Sequence, residues 1–391
     1  MKTVLVGIAF LLAACSQPTA AAPTPTPSSP PQATPIAVSP APTATPAAPS
    51  PTPPPALKGS YAVLVKNFLV EGGSTYTLSI VASNGSVAAS TTARKRTVPN
   101  VQVGNLSTSN TTVYYLDGDS DVRFLRPDRS TGLVTHIALG PHQAAAFAVS
   151  PDDLRIAVSV LDYTRYPVST RLYVEDLHGG TNHVQLFFST SVIEWPVGWH
   201  AGRLVVALGI DYPPQQVGDW FATASGYHVV NVQTGARLLS LCTGKESYVP
   251  QSSGGAVCAD VNAASVASWD GRTRKLPFAR KPDATSGNCS LLGPLSATGV
   301  VATAIVSSSQ GGCGSGPGVF LVSALGKIAA RPVTTKAYPS MWIDSTYLMV
   351  DSSLYTTNSS TPVLSIVNVS TRASTKVQAT GNFVAVLPGG L

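Results

Sequence analysis

Glutamate is almost missing from this chain. Of 391 residues only Glu71, Glu175, Glu194 and Glu246 are glutamate, and charged residues of all kinds make up 11%, against roughly 25% in an average soluble domain. Ser, Thr, Val, Gly and Pro dominate instead, a composition that favours strands and turns over long helices. No segment after residue 57 carries a 3.6-residue apolar period. The net charge of +6 is a weak field for a chain this long. Its Lys and Arg are scattered apart from Arg94-Lys95-Arg96 and the stretch from Arg272 to Lys281. No groove-reading motif accompanies them, so no nucleic-acid partner is expected. Catalytic patterns are missing too. His136, His142, His178, His183, His200 and His228 show no H-E-x-x-H spacing, and there is no G-x-S-x-G elbow. Gly311-Gly312-Cys313-Gly314-Ser315-Gly316 is glycine-rich, but no helix pattern follows to make it a phosphate loop. No cofactor is expected from these patterns.

What is present begins at the N-terminus. Lys2 supplies a positive charge, Val4 to Ala14 a short apolar core, and Leu12-Ala13-Ala14-Cys15 a closing motif. Eleven apolar residues are too few to cross a bilayer. The motif resembles the bacterial lipoprotein signal with its Leu-small-small-Cys lipobox. The resemblance implies cleavage before Cys15, lipid on its sulfur, and residence on the extracytoplasmic face of a membrane. If the host has an outer membrane, Ser16 after that cysteine favours sorting there. Residues 1–15 are therefore expected to be the signal peptide. Residues 16–56 follow as a Pro/Thr/Ala linker, with runs such as Pro23-Thr24-Pro25-Thr26-Pro27 and Pro51-Thr52-Pro53-Pro54-Pro55, and without a charged residue. Such a segment favours polyproline II and reaches on the order of 130 Å if fully extended. It reads as a stalk or a disordered spacer. Four cysteines remain: Cys242, Cys258, Cys289 and Cys313. An even number outside the cytoplasm points to two disulfides. Three pairings are open, and Cys242 with Cys258 plus Cys289 with Cys313 closes the shortest loops. The tight C-x-x-C spacing of a zinc site is absent, and no metal is expected.

From residue 57 to 391 the chain repeats. Phe147 to Val149, Ile156 to Val160, Arg171 to Asp176 and His183 to Phe188 form four short apolar or alternating runs separated by three turn signals. That is a four-stranded antiparallel sheet, the blade of a β-propeller. Similar units precede and follow it. The first, Tyr61 to Val65, Tyr76 to Val81 and Val87 to Thr92, has three strands, and the chain ends with one extra, Phe383 to Leu387. Three plus one restores four, which predicts an all-β ring of seven blades closed by pairing the last strand into the first blade. The weakest unit lies between Tyr248 and Ala279, and the sixth is expected to end in a strand from Lys327 to Val333. Ser150-Pro151-Asp152-Asp153-Leu154-Arg155-Ile156-Ala157-Val158 resembles the Ser-Pro-Asp-Gly turn of TolB-type and related WD-like propellers, with Asp153 where glycine is usual. The turn has drifted elsewhere, as at Trp199-His200-Ala201-Gly202-Arg203-Leu204. The resemblance implies a fold and leaves the partner open.

Propeller geometry sorts the connections. Loops from second to third strand share a face with the loops between blades, and the long ones are of this kind: Asp162 to Thr170, Ile210 to Gly226, Ser307 to Gly318 and Asp351 to Pro362. Long loops on a rigid scaffold are where binding residues usually sit. These contain Tyr163, Arg165, Tyr166, Asp211, Tyr212, Trp220 and Phe221, aromatic and polar groups suited to a protein or polymer partner in the envelope. The plainer reading is that the aromatics pack the loops onto the blades. The most metal-like string, Asp117-Gly118-Asp119-Ser120-Asp121, has Val122 and Asp128 where a calcium loop needs Gly and Glu, so it reads as a turn. The leading functional expectation is a lipid-anchored, non-catalytic binding module. The alternative is an envelope hydrolase or lyase acting on glycan or peptide through Asp162, Asp211, Asp219 or Asp351.

Overall fold

A computed structural model of the chain describes residues 57–68, 73–97, 105–165, 167–209, 224–247, 252–260, 263–277, 288–309, 312–313, 318–353 and 362–391, with the side chains of 246, 288–292, 306–309 and 312–313 outside the described set. Among the described residues the named elements are strands. Blade 1 holds β1 (Tyr61–Lys66), β2 (Thr75–Ala82) and β3 (Val87–Arg94). Blade 2 holds β4 (Leu106–Thr108), β5 (Val113–Asp117), β6 (Asp121–Leu125) and β7 (Thr131–His136). Blade 3 is β8 (Gln143–Val149), β9 (Arg155–Asp162), β10 (Ser169–Asp176) and β11 (Val184–Ser189). Blade 4 is β12 (Glu194–His200), β13 (Arg203–Leu208), β14 (Tyr227–Val230) and β15 (Arg237–Leu241). Blade 5 is the smallest: β16 (Glu246–Ser247), β17 (Ala256–Ala259), β18 (Ala264–Ala267) and β19 (Thr273–Lys275). Blade 6 has β20 (Asn288–Leu295), β21 (Val301–Ser309), a side strand β22 (Gly312–Cys313), β23 (Gly318–Val322) and β24 (Thr334–Thr335). Blade 7 has β25 (Tyr338–Trp342), β26 (Tyr347–Asp351), β27 (Leu364–Asn368) and β28 (Ser374–Lys376). The last strand, β29 (Asn382–Leu387), returns to blade 1.

The pairing makes seven antiparallel sheets, and the blade 1 order is β29-β1-β2-β3. Tyr61 sits opposite Leu387 and Val65 opposite Asn382, so the last strand becomes the innermost strand of the first blade. The ring closes as the strand count predicts. Burial explains which strands read clearly in the sequence. Second strands are sandwiched between neighbouring blades and are buried on both faces, as in β9 and β13. Outer strands face water, and β28 is exposed throughout.

Adjacent innermost strands are tied by a repeated device. Pro196-Val197-Gly198-Trp199 and Pro339-Ser340-Met341-Trp342 each place a register shift just after the proline and a buried indole at the end. Trp199 Nε1 donates to the Ala148 carbonyl of the preceding blade at 3.1 Å, and Trp342 Nε1 does the same to Pro294 at 3.1 Å. Each indole fills the wedge between blades while its one polar atom is satisfied. Asp153 has φ of 60°, the left-handed conformation that glycine adopts freely and Asp tolerates. Its carboxylate accepts from Tyr114 Oη of blade 2 at 2.8 Å, a bond that glycine lacks.

Two strand expectations are corrected. The sixth blade ends in β24 at Thr334–Thr335, because Pro332 has no N–H to give the ladder; only Ala329 and Val333 donate, to Leu321 and Val319. Asp162 and Ser169 are strand ends, which shortens that loop to residues 163–168. Cys313 stands in β22, which pairs with an extension of β21 within the second-to-third connection of blade 6.

Candidate functional site

One face of the ring carries the second-to-third and blade-to-blade connections (the loop face); the other carries the remaining turns (the turn face). On the turn face, β12 passes to β13 through Ala201-Gly202 and β8 to β9 through residues 150–154. On the loop face, β13 ends at Leu208 and β14 begins at Tyr227, while β26 ends at Asp351 and β27 begins at Leu364.

Of the residues expected to bind a partner, Tyr163 and Arg165 are described. Tyr163 is half-buried against the cluster that includes Ala146, Leu161 and Trp195, its N–H donates to the His142 carbonyl at 3.0 Å, and burial raises its phenol to about 12. It packs its loop down onto the blade. Arg165 is exposed. Tyr166, Asp211, Tyr212, Trp220 and Phe221 lie outside the described residues, as do Asp219 and the lipobox Cys15. Asp162 and Asp351 are both occupied locally. Asp162 accepts from Thr164 N at 2.9 Å and Gln143 Nε2 at 3.0 Å, and these bonds hold its carboxyl below the usual range. Asp351 accepts from Ser353 N at 2.8 Å and Val363 N at 3.0 Å. Each carboxylate caps the loop it opens.

The basic run and the acidic string, read separately in the sequence, meet here. Arg94 donates from its backbone N at 2.8 Å and its Nε at 3.0 Å to Asp117 Oδ1, and from Nη2 to Asp121 Oδ2 at 3.0 Å. Thr97 donates to both oxygens of Asp119, from N at 2.8 Å and Oγ1 at 2.6 Å. His136 Nδ1 is 2.9 Å from Asp121 Oδ1. The Asp string makes the β5–β6 turn, with Gly118 at φ of 79°, and its carboxylates clamp the crossing from blade 1 to blade 2. Arg96 reaches the Ala145 carbonyl on the innermost strand of blade 3. Burial lowers its pKa to about 10, so the guanidinium stays charged at neutral pH.

Cys242 and Cys258 form a disulfide, joining the end of β15 in blade 4 to β17 in blade 5. This is one of the two short pairings; the side chains of Cys289 and Cys313 lie outside the described residues.

A buried polar group that no sequence spacing announces lies at the loop-face end of the seam between blades 3 and 4. His228 Nδ1 lies 3.3 Å from Glu194 Oε1, with side-chain exposures of 10% and 5%. Ser159 Oγ donates to the Glu194 carbonyl at 2.5 Å, and the buried Thr170 hydroxyl has no hydrogen-bond partner. Ser, His and Glu are the residue types of a hydrolase triad, but Ser159 is fully buried and spends its proton on a backbone oxygen. The group is a structural tie.

No family model matches this chain, and no characterised protein matches it in sequence. Solved structures resemble it in shape. AztD from Citrobacter koseri is 12% identical with a TM-score of 0.38, over 85% of this chain and 98% of that one. A eukaryotic initiation factor is 12% identical with a TM-score of 0.40, over 81% and 78%. Prolyl oligopeptidase B from Galerina marginata is 10% identical with a TM-score of 0.32, over 83% of this chain and 43% of that one. This chain therefore spans under half the length of the oligopeptidase. The propeller assignment rests on the closed order of strand pairing.

Proposed function

We propose that this chain is a lipid-anchored, extracytoplasmic propeller that acts as a non-catalytic binding module through its loop face. The observation that carries the reading is the inequality of the two faces. Turn-face connections such as β8–β9 and β12–β13 are tight, whereas the loop face carries the long connections from Leu208 to Tyr227 and from Asp351 to Leu364. A rigid ring with long connections on one side is suited to recognition there. The commitment of Asp162 and Asp351 to their own loops also favours binding over acid–base chemistry at those two carboxylates. The lipobox at Cys15 and the Pro/Thr/Ala segment 16–56 would supply anchor and stalk, and the loop face would meet an envelope protein or polymer.

The test is crosslinking capture from native envelopes, comparing the parent with a variant in which Tyr166, Tyr212 and Trp220 are all alanine. A partner held by the parent and lost by the folded variant is the expected result. Equal capture by both places recognition elsewhere on the ring. Capture by neither sinks the binding reading and turns attention to turnover of glycans and peptides. The anchor is checked independently: Cys15→Ala is expected to release the protein from the membrane fraction.

A further inference from the structure

Beyond Leu387 the chain runs back across the ring. The Gly389 N–H donates to the Ser109 carbonyl at 2.7 Å, in the β4–β5 turn of blade 2. Gly390 lies against Pro151, in the β8–β9 turn of blade 3. The Leu391 N–H donates to the Trp199 carbonyl at 3.0 Å, and His200 Nδ1 donates to the Leu391 main-chain oxygen at 2.7 Å. Both partners belong to blade 4. Pro388 to Leu391 thus leave blade 1 and touch the inner ends of blades 2, 3 and 4 in turn. Four residues reach at most roughly 14 Å, too short for a detour around the outside, so the segment crosses the mouth of the channel on the turn face.

The fit is built from three glycines. A Cβ at Gly389 would lie 2.1 Å from Thr108 Oγ1 and 2.6 Å from the Thr108 carbonyl oxygen. Gly390 has φ of 104°, where other residues are strained. A Cβ at Gly198 would lie 2.7 Å from Leu391 Cγ, so the glycine at the β12 register shift opens the socket that Leu391 fills. Leu391 packs there against the same buried cluster as Trp195 and Val205. Recognition runs mainly through backbone groups and one apolar side chain, the usual means of holding a short extended peptide.

We propose that Pro388–Leu391 is a plug that closes the turn-face mouth of the channel, and that its seat is a binding site for a Gly-Gly-Leu peptide, filled in cis by this segment. The turn-face end of the channel is then closed. Displacing the plug opens that end.

The experiment uses a capped Pro-Gly-Gly-Leu peptide, acetylated and amidated, with nuclear magnetic resonance of the Trp199 indole N–H and the His200 ring. Three chains are compared: the parent, a chain lacking residues 388–391, and full-length Leu391→Asp, in which the plug is unseated while the strands stay whole. Saturable shifts at millimolar peptide are expected in both altered chains and not in the parent, because a tethered segment competes at an effective concentration in the millimolar range. Adding Gly198→Val to Leu391→Asp is expected to abolish the shifts. If the shortened chain does not fold, Leu391→Asp decides alone. Shifts in neither altered chain, or equal shifts in the parent, would overturn the proposal.

Discussion

The seam between blades 1 and 2 and the seam between blades 4 and 5 solve one problem in different ways. At the first, directional polar contacts predominate: Arg94 bridges Asp117 and Asp121, Thr97 binds Asp119, and Tyr76 donates to the Leu116 carbonyl. At the second, Tyr227 meets Trp269 edge-on at 5.5 Å within a buried apolar cluster, and the Cys242–Cys258 disulfide crosses it. The difference follows blade size. Blade 5 has strands of two to four residues and offers little surface to its neighbour, so a covalent tie and a large aromatic supplement it. Blade 1 has strands of six to eight residues, and its polar clamp sets geometry on an already adequate interface.

That contrast orders the effects of breaking each seam. Trp269→Ala is expected to have the largest, about 4 kcal/mol of lost stability, read as a lowered urea midpoint; a loss below about 1 kcal/mol would show that the apolar seam is not held by this ring. Replacing Cys242 and Cys258 with serine is expected to cost about 3 kcal/mol, the usual scale for a loop of this length. Reductant should lower the parent's midpoint toward that of the variant, and failure to do so would count against the disulfide's role. Tyr76→Phe leaves the buried Leu116 carbonyl without its donor and is expected to cost about 1–2 kcal/mol, with little dependence on salt.

The smallest effect belongs to Asp117→Asn, under about 1 kcal/mol for a partly exposed ion pair. Partial burial pushes the Asp117 carboxyl up, but the side-chain and backbone hydrogen bonds and the charge of Arg94 outweigh it and hold the group below its usual range. A folded-state pKa below the unfolded one stabilises above about pH 4 and is lost as pH falls through the folded value. The parent should therefore lose this contribution in acid while Asp117→Asn shows a flatter profile there, and added salt should shrink the gap. Identical acid profiles would remove the clamp from the explanation.

Much of the ring was legible in the sequence, because second strands such as Ile156 to Val160 are buried on both faces and show as apolar runs between turn signals. Closure was legible because one unit lacked a strand and one strand lacked a unit. The outer strand of blade 6 was misplaced because Pro332 interrupts hydrogen bonding in a stretch whose composition still looks like a strand. The acidic string reads as a turn and forms one, but its partner Arg94 lies on another blade, and no local pattern announces such a contact. The Glu194–His228 tie lies within blade 4, but its residues stand on β12 and β14, two strands that are not adjacent, so no local spacing reveals it. Gly389-Gly390 carried a visible oddity, two glycines after the last strand, yet its meaning depends on Gly198, far away in the chain. Local spacing reveals what a segment does with itself; these contacts depend on what the closed ring brings together.

The pairing of Tyr61 with Leu387 has a consequence for biosynthesis. The first blade is complete only when the last strand has been made, so a chain emerging from the ribosome or a translocation pore carries β1 as an open edge until then. An open edge of apolar strand is a template for aggregation. A release product ending before Asn382 would expose that edge for good, and quality-control proteases would have a clear mark to recognise.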